Sequence, residues 1–534
     1  MNRAAWPSAR GRTKTVPYRS YAVACVLALI VLAAAGLMQS SRDLWQDEST
    51  LLANLGLPLP AYFGTLPFYD QAAPPFALLT LDAAYLLTDG SVQGMRLVLL
   101  ALNLALLVGL AHAAIRRGDR QALLAIAMMA VTPLAIRYCV ELKQYGFEMQ
   151  ASLLFLLALR WMPERPAAVM LLAAVLSFFS FSIMLVVGVA VLDAALLRHR
   201  GATRWRWLCL LAAYTLAWLA CYLLLFRPAT ALQTANYPAA YQRLALAEYL
   251  RHPALLMAQF EVIGRAQAAV ALICALIAAA ALVLLARRET NRHDLSPTAL
   301  IWQPLRLLAG LIAIVALLWL ARLYPVSTNK QFLFTMPIGA LLVANLFVLA
   351  ADRVRLRAAV PLALAAALMP SAAIALAREW REETDIQDTR GLYAFLKTQP
   401  DALILPDILF EPTLRYYAVR DPHPPRRIGA LLQPGSAPME SPQEVARALA
   451  AGTPSIRQHV WQPLDTARGY PAYADWVVRH ARQAGPALIA ATYLGDERER
   501  IYADAARRQG CGIKVAYRSR EVVALHLDCA TPRP

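Results

Sequence analysis

Long apolar runs recur along the first two thirds of this chain, and a polypeptide with that pattern needs lipid around it rather than water. A spanning helix takes about 20 largely apolar residues. Eleven segments qualify: Tyr21–Met38, Val92–Ile115, Gln121–Val140, Gln144–Trp161, Pro166–Ser180, Ser182–Leu197, Trp205–Phe226, Ala266–Ala286, Leu307–Tyr324, Gln331–Leu349 and Ala358–Ala377. Hydrophobic residues make up 59% of the 534, above the roughly 45–50% of soluble domains. The expectation is a polytopic α-helical membrane protein with about 11 transmembrane helices.

The connections set the orientation. The tail 1–20 and alternate turns, such as Arg116-Arg117-Gly118-Asp119-Arg120, carry 21 basic residues, against 10 on the opposite side of the membrane region. Cytoplasmic loops collect Lys and Arg, which puts the N-terminus inside and, after an odd number of crossings, the C-terminus outside. Topology thus accounts for the net charge of +17, with no nucleic-acid partner needed. The first run follows a basic segment and is longer than a signal peptide's core, so it reads as an uncleaved anchor. Pro75–Thr88 is too short to span and is expected to lie along the outer interface. Pro166–Leu197 must cross an even number of times, by two short helices meeting near Phe181 or by a hairpin that stops short of the far surface.

The membrane region, 21–377 with a first outer loop at 39–91, ends where the composition turns polar at Arg378-Glu379-Trp380-Arg381. Residues 378–534 alternate helical and strand patterns and read as an outer α/β domain, periplasmic in a bacterial inner-membrane protein. Helical patterns fall at Thr389–Thr398, Pro442–Ala451, Ala472–Ala484 and Gly495–Arg508, and strands at Ala402–Leu405 and Ala487–Tyr493. Two alternating runs, Gly512–Ser519 and Glu521–Asp528, predict a hairpin centred on Arg520. Cys511 and Cys529 lie equally far from that centre and, in an oxidising compartment, are expected to form a disulfide. The other five cysteines lie in or at the ends of apolar runs.

Polar residues gather at the outward ends of the predicted helices. Asp47 and Glu48 follow the first span; Asp70 and Gln71 precede Pro74-Pro75; Glu141, Lys143 and Tyr145 lie between the third and fourth spans; Asn329, Lys330 and Gln331 precede the tenth. Acids and cations from four loops at one surface suit a reaction in which a hydroxyl loses a proton while a phosphate departs. A divalent metal is compatible with these carboxylates, but nothing in the residues demands one.

The order Trp45-x-Asp47-Glu48, Asp70-Gln71-Ala72-Ala73-Pro74-Pro75-Phe76, Arg96, Pro133 with Glu141-x-Lys143-x-Tyr145, then Lys330-Gln331-Phe332-Leu333 with Pro337 resembles polyprenyl-phosphate-sugar-dependent glycosyltransferases of the GT-C fold. The resemblance is to bacterial members of the protein O-mannosyltransferase and aminoarabinose-transferase superfamily. The resemblance implies a catalytic base at Asp47, with Glu48 beside it and Asp70, Gln71, Glu141 and Tyr145 positioning the acceptor. It implies that Lys143, Lys330 and Arg96 hold the donor phosphate. Lysine stands where the family often has arginine at 143 and 330, which keeps the charge and loses the bidentate fork. The implied partners are a lipid-linked sugar donor, a glycan, lipid or protein acceptor, and the bilayer. The rivals are a lipid-linked oligosaccharide flippase, which needs polar groups at mid-membrane, and a glycan polymerase or ligase.

Overall fold

The structure, a computed structural model, describes residues 18–64, 66, 71–228, 297–321, 324, 329–353, 373, 377, 387–407, 409–428, 469–484, 486–492 and 496–529. Among them the chain is mostly helical. In order come α1 (Tyr18–Ser40), α2 (Gln46–Leu52), α3 (Pro75–Leu87), α4 (Val92–Arg117), α5 (Arg120–Ala130), α6 (Pro133–Val140), α7 (Tyr145–Trp161), α8 (Pro166–Ser177), α9 (Ile183–Asp193), α10 (Gly201–Cys221), α11 (Pro297–Leu320) and α12 (Met336–Arg353). Four further helices, α13 (Thr389–Lys397), α14 (Glu411–Arg420), α15 (Gly469–Ala484) and α16 (Asp496–Arg508), surround strands β1 (Leu403–Pro406), β2 (Ala487–Thr492), β3 (Cys511–Ser519) and β4 (Val522–Cys529).

Five described segments are long and apolar enough to cross a membrane: Tyr18–Ser40, Val92–Arg117, Gly201–Phe226, Trp302–Trp319 and Phe332–Leu349. A sixth results if α5 and α6 count as one. The expected span Gln121–Val140 is bent in the structure, where α5 and α6 meet at 73°. Pro133 starts the new helix and Thr132 before it is extended, with ψ 129°. A residue ahead of proline is pushed out of the α region, so the helix stops there. Helix α8, with 12 residues, is about 18 Å long, short of the roughly 30 Å of hydrocarbon. It breaks at Phe178 and α9 begins at Ile183, around the predicted Phe181. The expected span Ala266–Ala286, nearly all of Ala358–Ala377 and the helix Pro442–Ala451 lie outside the described residues.

The bundle has two distinct ends. At one, α4 begins against the end of α1, and α3 meets the α8–α9 break, where Phe76 N–H donates to the Phe178 carbonyl at 2.9 Å. At the other, arginines predominate: Arg160 pairs with Asp119 at 2.9 Å, Arg306 with Asp193 at 2.6 Å, and Arg120 lies over the Tyr21 ring.

The sheet has the order β1-β2-β4-β3, with β1 parallel to β2 and the remaining pairs antiparallel. Strand β2 is buried at all six positions. Its Leu488 and Ala490 pack toward Leu392, Phe410 and Leu414, while Ala487, Ile489 and Ala491 pack with Val477, Val478 and Tyr502, the period-two alternation of a strand covered on both faces. In the β3–β4 hairpin, Cys511 faces Cys529 in register and the two form a disulfide. The turn differs from the sequence expectation. Arg520 and Glu521 share it, with Glu521 at φ +53°, and Ala516 is an extra residue between Val515↔Leu525 and Tyr517↔Ala524. Helix α14, with Tyr416 and Tyr417, was not marked in sequence reading, although Pro412 in its first turn is a start signal.

Glu411, at the start of α14, is 6% exposed. Burial pushes its carboxyl up to about 7, against the pull of Arg415. A carboxyl whose folded value lies above its unfolded one stabilises relatively less as pH rises from about 4.5 to 7, because the folded state then holds the extra proton. Glu411→Gln should therefore raise the melting temperature of the detergent-solubilised protein at pH 8 and leave it nearly unchanged at pH 5. The gain should be on the order of 1–3 kcal/mol; an equal shift at both pH values would refute the assignment.

Candidate functional site at the α1–α2 turn

After α1 the chain turns through Arg42–Leu44 and enters α2 at Trp45, which is extended at φ −102°, ψ 163°. The Trp45 carbonyl accepts from the N–H groups of Glu48 and Ser49, both at 3.1 Å. Asp47 and Glu48 thus occupy the first turn, where the helix dipole favours anions.

Neighbours in sequence, they have different surroundings. Glu48 is fully buried. One oxygen takes Arg96 Nη2 at 2.6 Å; the other takes Arg42 Nη2 at 3.1 Å and the Leu142 N–H at 2.9 Å. Burial works to raise this carboxyl, yet Arg96, Arg42 and the Leu142 N–H outweigh it and hold it at about 2. Arg96 is also fully buried and donates to the carbonyls of Ser40, Arg42 and Asp43. These two residues, expected at the chemistry and at the donor phosphate, clasp each other and the backbone. Arg42 continues the line to Glu141 at 3.7 Å, and Glu141 to Arg137 at 3.3 Å. Burial pushes the Glu141 carboxyl up despite those two arginines, and its Oε1 has no hydrogen-bond partner among the described residues.

Asp47 remains accessible, its side chain 30% exposed. Its Oδ1 lies 3.7 Å from Lys143 Nζ, and that ammonium donates to Gln71 Oε1 at 2.8 Å. Three expected site residues from three loops therefore meet. Tyr145 stands edge-on to Tyr138, with ring centroids 5.6 Å apart. Gly146 permits this approach of α7 to α6, because a Cβ there would collide with the Tyr138 carbonyl. Lys330 belongs to the 3-10 turn Asn329–Thr335, which packs against α7; Asp70 lies outside the described residues.

Sequence reading assigned no role to Arg137. Its side chain is 34% exposed, and its guanidinium lies 5.5 Å from the Trp45 ring centre and 5.7 Å from that of Tyr138. The cue was present, since Arg137 stands four residues before Glu141 on a helix and i,i+4 pairs meet. Among the described residues no group of three or more His, Cys, Asp or Glu is disposed to hold a metal ion. Glu48 and Glu141, the described carboxylates of this cluster, are paired with arginines.

No family model matches the chain, and no curated protein does. Among solved structures it is similar to the crystal structure of ArnT from Cupriavidus metallidurans bound to undecaprenyl phosphate, with 14% sequence identity. The match covers 94% of this chain and 97% of that one, at a TM-score of 0.48. A likeness at that level decides neither the membership nor the activity of this chain.

Proposed function

We propose that this chain is an integral membrane glycosyltransferase that moves a sugar from a polyprenyl phosphate to a hydroxyl of an envelope glycan, lipid or protein at the outer face of the membrane. The observation that carries the reading is the accessible Asp47 carboxylate 3.7 Å from the Lys143 ammonium, at the bundle end opposite the arginine-rich turns. A base and a cation side by side suit an attack in which proton loss and phosphate departure occur together.

In that reaction the acceptor oxygen bonds to the anomeric carbon as the bond from that carbon to the phosphate oxygen breaks. Asp47 takes the hydroxyl proton. Lys143, with Arg137 and Lys330, carries the charge that grows on the departing lipid phosphate. A single displacement inverts the anomeric centre. Gln71 orients the Lys143 ammonium through its 2.8 Å contact, while Tyr145, Glu141 and Asp70 shape the acceptor side. A donor already in the bilayer explains a site at helix ends, where the phosphate lies level with the cations while its chain stays in lipid. Positive-inside sorting of the arginine-rich end supports a cytoplasmic N-terminus and a periplasmic α/β unit.

Two measurements test the reading. Mass spectrometry of envelope glycans from cells with and without the chain should show loss of one sugar; intact glycans together with a defined lipid-transport defect would favour a flippase. In purified protein, Lys143→Met should weaken binding of undecaprenyl phosphate about tenfold, the scale of one charge-assisted hydrogen bond. The surface control Lys397→Met should leave it unchanged. Equal affinity in all three proteins would remove Lys143 from the phosphate site.

A further inference from the structure

The segment that presents Asp47 is held from two sides. From the membrane bundle, Arg96 grips the carbonyls of Arg42 and Asp43 and the Glu48 carboxylate. From the C-terminal α/β unit, residues 387–390 grip what remains. Gln387 Oε1 accepts the Gln46 N–H at 3.1 Å, and Thr389 Oγ1 donates to the Leu44 carbonyl at 2.7 Å. The Asp43 carboxylate accepts the Arg390 backbone N–H at 2.9 Å, with Arg390 Nε 3.3 Å away. One turn on, the Ser49 and Thr413 hydroxyls meet at 2.8 Å.

Apart from the exposed Arg390 side chain, these contacts are dry: Gln387 is 1% exposed, and Thr389, Ser49 and Thr413 are 0% exposed. The apolar packing agrees, since Leu44, Leu51 and Leu52 belong to one cluster with Leu405, Tyr416 and Ile489 of the α/β unit. Helix α2 has only 7 residues and is too short to hold its own conformation. Whatever sets its entry angle also sets where the Asp47 carboxylate points, and a displacement of about 1 Å at a reacting group can cost a hundredfold in rate.

We infer that Gln387, Thr389 and Arg390 are positioning residues for Asp47, so that the α/β unit completes the reaction site instead of only covering it. The inference rests on the reading of Asp47 as the base. None of the three touches substrate; each acts through the Asp43–Gln46 backbone or the Asp43 side chain. Of the three, Thr389 offers the sharpest probe. Valine keeps its shape but leaves the Leu44 carbonyl without its buried donor, whereas serine keeps the hydroxyl.

The test uses full-length protein in lipid nanodiscs together with cells expressing the same variants. With Thr389→Val, amide hydrogen exchange at residues 44–50 should quicken at least tenfold and sugar transfer to envelope glycans should fall about tenfold. Binding of undecaprenyl phosphate, the probe for the lipid site, should stay within twofold. Thr389→Ser should restore both exchange and transfer. If Thr389→Val misfolds, Gln387→Met serves as the second variant, with the same readouts expected. Unchanged exchange at residues 44–50 overturns the inference whatever the activity, and so does parallel loss of transfer and lipid binding, which a merely structural role would produce. If Asp47→Asn transfers at the wild-type rate while Thr389→Val still loosens the segment, the glycosyl-transfer reading fails and the coupling of unit to loop survives.

Discussion

Asp47→Asn is expected to lower sugar transfer by roughly 10²–10⁴-fold, the usual contribution of a positioned general base, while protein level and thermal stability stay at wild type. The two parts of this expectation have separate grounds. Asparagine fills the same volume as the partly exposed Asp47 side chain and keeps an oxygen near Lys143, so packing is retained and only the proton acceptor is lost. The 3.7 Å contact joins a 30% exposed carboxylate to the buried Lys143 ammonium, which also donates to Gln71 at 2.8 Å, so the ammonium keeps a partner when the carboxylate charge is lost. The measurement is the fraction of envelope glycan carrying the sugar, by mass spectrometry, against protein level by immunoblot. Unchanged glycan at matched protein level would strike Asp47 from the mechanism. Asp47→Glu, which retains the base but advances it by one methylene, should fall between the two.

Arg96→Met should have a different signature: little folded protein, and the same loss of transfer for that reason. It leaves the fully buried Glu48 carboxylate with only Arg42 and the Leu142 N–H, and breaking a buried pair from one side costs about 3–5 kcal/mol. The double variant Arg96→Met, Glu48→Leu should recover part of the loss, because the under-paired carboxylate goes too while Arg42 keeps Glu141 at 3.7 Å. The pH response follows the same logic. Glu48 sits at about 2 in the folded chain against about 4.3 for a free glutamate, so the clasp stabilises above that unfolded value and weakens as pH falls from about 4.3 toward 2. Thermal unfolding in detergent from pH 7 to pH 3 reads this directly. Wild type should lose stability over that range, and the double variant should lose less. A single Arg96→Met chain as stable as wild type would show that the clasp contributes nothing.

How far the site was legible in sequence is seen by comparing Asp47 with Glu48. Charge and position relative to a long apolar run suffice to place both at a helix end, and Lys143 and Gln71 were drawn to the same surface by similar reasoning. What one-dimensional reading lacks is the direction in which each side chain leaves its turn. Glu48 and Arg96 lie 48 residues apart, and only the packing of α4 against the end of α1 makes them partners. The family resemblance alone gave Arg96 a place at the donor phosphate, and its partner lay hidden in the neighbouring motif. The bend at Pro133 was written in the sequence and missed, since hydropathy averaged over Gln121–Val140 runs smoothly through a proline. The hairpin pairing of Cys511 with Cys529 came from a simpler picture than the real one: a turn centred half a residue away and an extra Ala516 offset each other.

That offset decides where the hairpin can change length and keep its covalent link. Counted outward from Ser519↔Val522, the bulged Ala516 has no mate, so its loss alone would leave Cys511 opposite Cys529. A residue lost from the second strand alone would instead set Cys511 opposite Ala530 and part the two sulfurs. Homologues that keep the bond should therefore shed this alanine freely and lose paired residues only in cross-strand twos.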